Sequence, residues 1–336
     1  MMTRKELLAD RGLYESRAAG ALIGLAVGDA VGDLGRSQDY RARYGVVTRL
    51  YPEARSTDDT EFGALTARAL IDAGGKLTPA SAAAAWRKYI IDRGGAKKRA
   101  GRPLYGAIEN LKRGLEPPES GRCNVMNVDD GAAMRASPHG ILFAGDPEAA
   151  AASAAADACV SHDADGIWAA EAVAASVAAA IAGGSPDQVV EAGRRRMPAG
   201  SWLARQTDLA MAICDEKGDI EEAYEELHTR LWTPEHATAP EAIPQVYAVF
   251  RLTRGEPRRA LLWSANFGRD ADTISGLVCS FAGAMRGIEA WPAQWVELVR
   301  RASGVCLEFA AEEDLVALSR ELVALAYGVC RPCPAR

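Results

Sequence analysis

Two short clusters stand far apart in the chain, Ser56-Thr57-Asp58-Asp59-Thr60 and Arg269-Asp270-Ala271-Asp272-Thr273, and each opens into an apolar run of helical character. Hard cations such as Mg²⁺ take oxygen ligands, and carboxylates with adjacent hydroxyls on two facing helix starts supply enough donors to hold two ions in one pocket. A simpler role competes. Ser, Thr and Asp are favoured N-caps, and Asp58 with Glu61, or Ser56 with Asp59, has capping-box spacing. Capping accounts for one such cluster taken alone. Two of them, each crowding carboxylates that repel unless something positive lies between, point to a metal site and so to an enzyme.

The elements that must position these groups are helical. Glycines at 20, 24, 28 and 32 recur every fourth residue within residues 16 to 35, which places them on one helix face and lets another backbone approach closely. No strand precedes this run and the spacing is not Gly-x-Gly-x-x-Gly, so it is not a dinucleotide-binding loop. Asp29 and Asp33 then fall near the helix end, where a carboxylate is poorly placed against the dipole, and a cation or a hydrogen-bonding network is expected to receive them. Residues 40 to 51 read as a loop or ribbon leading to the first cluster. Helices are expected over 62–73 and 79–92, each closed by a Gly-Gly pair, then a long loop over 114–131, then helices over 147–158 and 167–182. Further helices are expected over 187–197, 201–215, 219–230, 240–253, 256–266, 273–285, 292–302 and 311–328. Alanine-rich runs, 7% aromatic residues and few alternating Val/Ile/Thr stretches agree with an all-α fold. No linker rich in Pro, Gly and Ser divides the chain, so one domain spanning residues 1–336 is expected.

A chain of 336 residues can bury a large core without disulfides. With 39 basic and 45 acidic residues the net charge is -6, and no block of five like charges occurs, which argues against non-specific nucleic-acid binding. Arg194-Arg195-Arg196 and Lys97-Lys98-Arg99 read as solvated helix ends or loops. No apolar stretch follows Arg4 and Lys5, and no uncharged run has clear membrane-span character, so a soluble, cytoplasmic protein is expected. Of seven cysteines, Cys159, Cys214, Cys279 and Cys306 sit in apolar helical runs and read as reduced core residues. Cys330 and Cys333 form a Cys-x-x-Cys pair with no second pair or matching histidines, and are read as a tail.

The ordered set Gly20-x-x-x-Gly24-x-x-x-Gly28-Asp29-Ala30-x-Gly32, Ser56 to Thr60, Gly131-Ala132-Ala133-Met134-Arg135 with Pro138, His162, and Asn266-Phe267-Gly268-Arg269-Asp270-Ala271-Asp272-Thr273 resembles the ADP-ribosylglycohydrolases through nearly the whole chain. The resemblance implies a single-domain, all-α orthogonal multi-helix bundle with a dinuclear Mg²⁺ or Mn²⁺ site in a central cleft, cleaving glycosidic bonds of ADP-ribose. It implies metal ligation by Thr57, Asp58, Asp59, Asp270, Asp272 and Thr273. It implies substrate contacts from Asp130, Gly131, Ala132, Met134, Arg135, His162, Phe267 and Arg269. Catalytic roles fall on Asp59 and Asp272, with Asp33 as the proton-handling carboxylate.

Two departures refine the expectation. A glutamate commonly follows the first glycine motif in this family, and the stretch here, Asp33-Leu34-Gly35-Arg36-Ser37-Gln38-Asp39, has none. Many members have Gly-Asn-Gly-Ala-Ala-Met-Arg where this chain has Asp129-Asp130-Gly131, and an acid there repels a pyrophosphate. A metal-dependent hydrolase of an N-glycosidic bond in an ADP-ribosyl or simpler ribosyl substrate is therefore expected, the latter favoured by Asp130. Its partners would be a small ribosyl compound or an ADP-ribosylated acceptor, with neither nucleic acid nor membrane. A two-metal phosphohydrolase and a catalytically inactive ribosyl-ligand-binding relative are the alternatives.

Overall fold

A computed structural model of the chain describes residues 1–329, so the Cys330 and Cys333 pair lies outside the described residues. In chain order the helices are α1 (Arg4–Ala9), α2 (Arg11–Arg36), α3 (Gln38–Tyr44), α4 (Asp58–Asp72), α5 (Pro79–Tyr89), α6 (Arg102–Lys112), α7 (Glu119–Arg122), α8 (Ser137–Leu142) and α9 (Pro147–Ala158). They continue as α10 (Asp165–Ile181), α11 (Pro186–Arg194), α12 (Trp202–Lys217), α13 (Ile220–Arg230), α14 (Ala239–Leu252), α15 (Pro257–Ala265), α16 (Ala271–Arg286), α17 (Ala293–Val299) and α18 (Leu315–Val329). No strand forms among the described residues, and the fold there is all-α.

Sequence periodicity located the long helices and missed several short ones, α1 among them. α3 lies where a loop or ribbon was expected, α6 and α8 were not anticipated, and α7 interrupts the expected loop over 114–131. α6 is nonetheless amphipathic: Leu104, Ala107, Ile108 and Leu111 share one buried face at helical spacing. They join Phe62, Leu65, Trp86 and Phe309 in a core cluster under α4, α5 and α6, separate from the main core that runs from Leu7 to Ala326.

The glycine face of α2 packs on α16 backbone to backbone. A Cβ at Gly28 would overlap the carbonyl of Ser275, one at Gly32 that of Ala271, and one at Gly24 that of Cys279, while Gly283 of α16 is equally tight against the carbonyl of Gly20. Trp291 Nε1 donates to the Gly20 carbonyl at 3.1 Å and closes the far end of the pair. α2 is long and apolar enough to cross a membrane, but 94% of its apolar window is buried inside the protein, as befits a central core helix. This close packing sets the start of α16, with Asp270 and Asp272, against the last turns of α2.

Candidate active site

The start of α4 is organised from α2. Asp29, fully buried, accepts from Thr57 N and Thr57 Oγ1, both at 2.7 Å, and from Thr60 N at 3.2 Å and Thr60 Oγ1 at 2.5 Å. Of the two receivers expected for Asp29, this is the hydrogen-bonding network, and it occupies the Thr57 side chain. Neither capping box forms. Thr57, the N-cap of α4, makes no side-chain cap bond. Glu61 instead turns away to accept from Val305 N at 2.9 Å, Cys306 N at 3.0 Å, Leu307 N at 2.5 Å and Ser303 Oγ at 3.0 Å, pinning the segment before the final helix. Ser56 Oγ accepts from Ser303 N at 3.1 Å. Asp58 and Asp59 are thereby left to face a cavity.

The second cluster is held from α14. Arg269, in a left-handed conformation at φ 57, pairs with the fully buried Glu241, Nη2 to Oε2 at 2.9 Å, donates to the Thr233 carbonyl at 2.6 Å and lies 5.4 Å over the Trp232 ring. Phe267 is a core residue whose ring meets Tyr224 edge-on with centroids 5.2 Å apart, and the Tyr224 hydroxyl donates to its carbonyl at 3.1 Å. Both residues fix the turn into α16. Asp270, the N-cap of α16, makes no side-chain cap bond.

The third motif supplies the remaining wall. Asp129 Oδ1 accepts from Gly131 N at 2.8 Å and lies 2.5 Å from His162 Nε2, while His162 Nδ1 is 2.7 Å from Ser161 Oγ. Burial lowers the His162 pKa against the pull of Asp129, so a neutral ring donates from Nε2 and accepts at Nδ1. Arg135 is fully buried on Asp157 at 2.7 Å, on the Gly131 carbonyl at 2.8 Å and 5.2 Å over the Trp86 ring. Asp130 N donates to the Ala237 carbonyl at 2.8 Å, which draws His236 and Ala237 to the same wall.

These elements enclose a cavity of about 130 Å³ lined by Asp58, Asp59, Asp129, Asp130, Asp270 and Asp272, with Thr273, Gly131, Met134, Leu104 and two arginines. Arg36 Nη1, from the end of α2, donates to Asp270 Oδ1 at 2.9 Å and to Asp272 Oδ1. Arg99 Nη2 donates to Asp33 Oδ1 at 2.6 Å and Asp272 Oδ2 at 3.2 Å. The carboxyls respond differently, and Asp270 is pushed up to about 7 by burial and Asp272 against the pull of Arg36. Burial would raise Asp272, but Arg36 and Arg99 overcome it and hold that carboxyl below its ordinary value. Asp58 and Asp59 are pushed well above theirs, by burial first and then by Asp272 and Asp29; burial, then Asp270 and Asp129, does the same to Asp130. Asp59 Oδ1 and Asp130 Oδ2 are buried without a hydrogen-bond partner.

Of the residues anticipated from sequence, Asp58, Asp59, Asp130, Gly131, Met134, Asp270, Asp272 and Thr273 line the cavity. The others lie around it: the Thr57 hydroxyl donates to Asp29, Asp33 accepts from Arg99, His162 pairs with Asp129 and Arg269 with Glu241, while Ala132, Arg135 and Phe267 are buried in packing. Arg99, expected in solvent, reaches the second cluster instead. Arg36 forms ion pairs with Asp270 and Asp272 in the cavity wall. His236 and Leu104 carried no local signal, and only the fold brings them in. A donor set made mostly of carboxylate oxygens, two of them unpartnered, suits a hard cation. No group of three or more His, Cys, Asp or Glu among the described residues forms a ready chelate, and guanidiniums take the oxygens of Asp270 and Asp272.

Residues 10–331 match the family model described as ADP-ribosylglycohydrolase. The chain is 27% identical over 300 residues to the "Uncharacterized protein YegU" of Escherichia coli (strain K12), covering 82% of this chain and 89% of that protein. It also superposes on a solved structure described as an "ADP-ribosylglycohydrolase-related protein complex" with a TM-score of 0.63 at 22% identity, over 94% of this chain and 99% of the other, a likeness of fold.

Proposed function

Since the chain belongs to the ADP-ribosylglycohydrolase family, we propose that it hydrolyses an N-glycosidic bond of a ribosyl substrate with bound Mg²⁺ or Mn²⁺. One observation carries this: two acidic helix starts, neither used for capping, converge on one cavity and leave Asp59 Oδ1 unpartnered there. Asp58, Asp59, Asp270, Asp272 and Thr273 are the residues that would hold the metal. When bound, a divalent cation lowers the pKa of water and orients ribose hydroxyls.

The chain's own groups supply the rest. Departure of the base leaves an oxocarbenium-like sugar, which the surrounding carboxylates stabilise by charge. Asp130 takes the proton-handling role in place of Asp33, because it lines the cavity beside Asp270 and its Oδ2 has no hydrogen-bond partner, whereas Asp33 is paired to Arg99. His162 and Gly131 N hold Asp129, and so the loop that carries Asp130. A cavity of about 130 Å³ is small beside the roughly 300–1,000 Å³ typical of ligand pockets. It fits a ribose better than a whole ADP-ribose, and its acidic wall disfavours a pyrophosphate, so a nucleoside or other small riboside is the favoured substrate. Buried cysteines without disulfides at 159, 214, 279 and 306 suit a reducing, cytoplasmic setting.

The test is turnover of a riboside panel by metal-loaded protein, with free base, ribose and inorganic phosphate each quantified. Release of base and ribose supports the proposal; release of phosphate alone, or metal-stabilised binding with no turnover, overturns it. Asp59→Ala should lose metal binding and turnover together, and an active, metal-loaded Asp59→Ala protein would refute the assignment.

A further inference from the structure

The two halves of the acidic site are not equivalent. On the α16 side both oxygens of Asp272 are taken, Oδ1 by Arg36 and Oδ2 by Arg99 at 3.2 Å, and Asp270 Oδ1 accepts from Arg36 at 2.9 Å. On the α4 side neither Asp58 nor Asp59 receives a guanidinium bond, and Asp59, 2% exposed, keeps Oδ1 without any partner while facing the cavity. The guanidiniums of Arg36 and Arg99 engage the α16 half, and the α4 half receives none.

Arg36 reaches its position by rigid means. It ends α2, where Gly32 packs against the backbone of Ala271 and Gly35 against that of Ala265, so the helix pair that carries Asp270 and Asp272 also fixes the root of the guanidinium. A cation seated between Asp270 and Asp272 would have to displace charge-assisted hydrogen bonds to both carboxylates. It would also sit within a few ångströms of a permanent positive charge that arginine cannot lose by deprotonation.

We propose that Arg36 stands in for one of the two cations expected from the acidic clusters, so that this site holds a single divalent cation on the Asp58 and Asp59 side while the guanidinium supplies fixed positive charge at Asp270 and Asp272. The proposal rests on the metal-dependent reading above. Its consequence for the reaction is a division of labour: one exchangeable cation polarises water or a ribose hydroxyl, and Arg36 balances the second pair of acids without exchanging.

The experiment uses the full chain, stripped with chelator and titrated with Mn²⁺, with bound metal counted by elemental analysis and its environment read by electron paramagnetic resonance. The expected result is one Mn²⁺ per chain, whose six-line spectrum persists at saturation. Arg36→Met should admit a second ion and give a spin-coupled spectrum, whereas Arg36→Lys, which keeps the charge, should stay at one. Two ions in the wild-type protein, or a folded Arg36→Met that still binds one, would overturn the proposal while leaving metal dependence intact. If Arg36→Met does not fold, the wild-type and Arg36→Lys stoichiometries still decide. No Mn²⁺ bound by the wild-type protein would instead overturn the metal-dependent reading itself.

Discussion

Replacing Gly28 by Ala should lower stability and loosen the site, although the same change in an open helix position is favourable. Within a helix, Gly to Ala gains up to about 0.5–1 kcal/mol by removing backbone freedom from the unfolded chain. Gly12, in the first turn of the same helix, is the control, since a Cβ there would meet nothing closer than Asp10 Oδ1 at 3.8 Å. At Gly28 the Cβ would overlap the carbonyl of Ser275 and crowd Gly276 N at 2.7 Å, all backbone of a packed helix with no rotamer to yield. Overpacking of this kind costs about 1–3 kcal/mol, so a net loss of about 1–2 kcal/mol remains after the propensity gain. At about 2–4 °C per kcal/mol for chains of 150–250 residues, Gly28→Ala should melt several degrees below the wild-type protein and Gly12→Ala at or slightly above it. Because relief requires α2 and α16 to separate, Asp272 moves relative to Asp29 and the α4 start, and Mn²⁺ affinity should fall with the melting point. Differential scanning fluorimetry of both variants, with metal titration of each, checks this. A Gly28→Ala protein as stable and as metal-avid as Gly12→Ala would refute the close-packing argument.

Glu61→Ala removes the acceptor for the buried N–H groups of Cys306 and Leu307, and at about 1–3 kcal/mol per orphaned group the loss should be roughly 2–6 kcal/mol, with new proteolytic cleavage near residues 303–307. Unchanged stability and unchanged digestion would contradict it. Burial raises the pKa of Glu171 to about 7, with Arg196 opposing. A carboxyl that holds its proton more tightly when folded contributes stability below its unfolded value near 4.5, and that contribution is lost as pH rises toward 7. Glu171→Gln should therefore gain in melting temperature over wild type between pH 5 and pH 8, and a constant difference across that range would count against the buried-acid reading. Chelator treatment should lower the melting temperature of metal-loaded protein, with Mn²⁺ restoring it in proportion to the logarithm of its concentration; a chelator-insensitive transition would mean that no metal stabilises the fold.

The helical character of the chain and the whereabouts of its chemistry were legible in the sequence because both are local. Period-four glycines, alanine-rich runs and Gly-Gly stops identify helices such as α2, α4 and α10, and two Asp-rich starts identify the acids that line the cavity. What the same residues do was not local. Ser56-x-x-Asp59 and Asp58-x-x-Glu61 have the spacing of caps, yet Glu61 is claimed by backbone some 245 residues away and Thr57 by Asp29 on another helix. Arg135, Arg269 and His162 look like substrate-binding residues by type and place in a motif, and the structure shows each also bracing a loop that carries an acid, Arg135 and His162 fully buried and Arg269 half-buried on Glu241. Arg36 and Arg99 enter the site because α2 lies against α16 and the segment before α6 folds over both. A sequence states which charges exist; only packing decides which of them meet in low dielectric, where each carboxylate must find a guanidinium, a row of N–H groups or a cation.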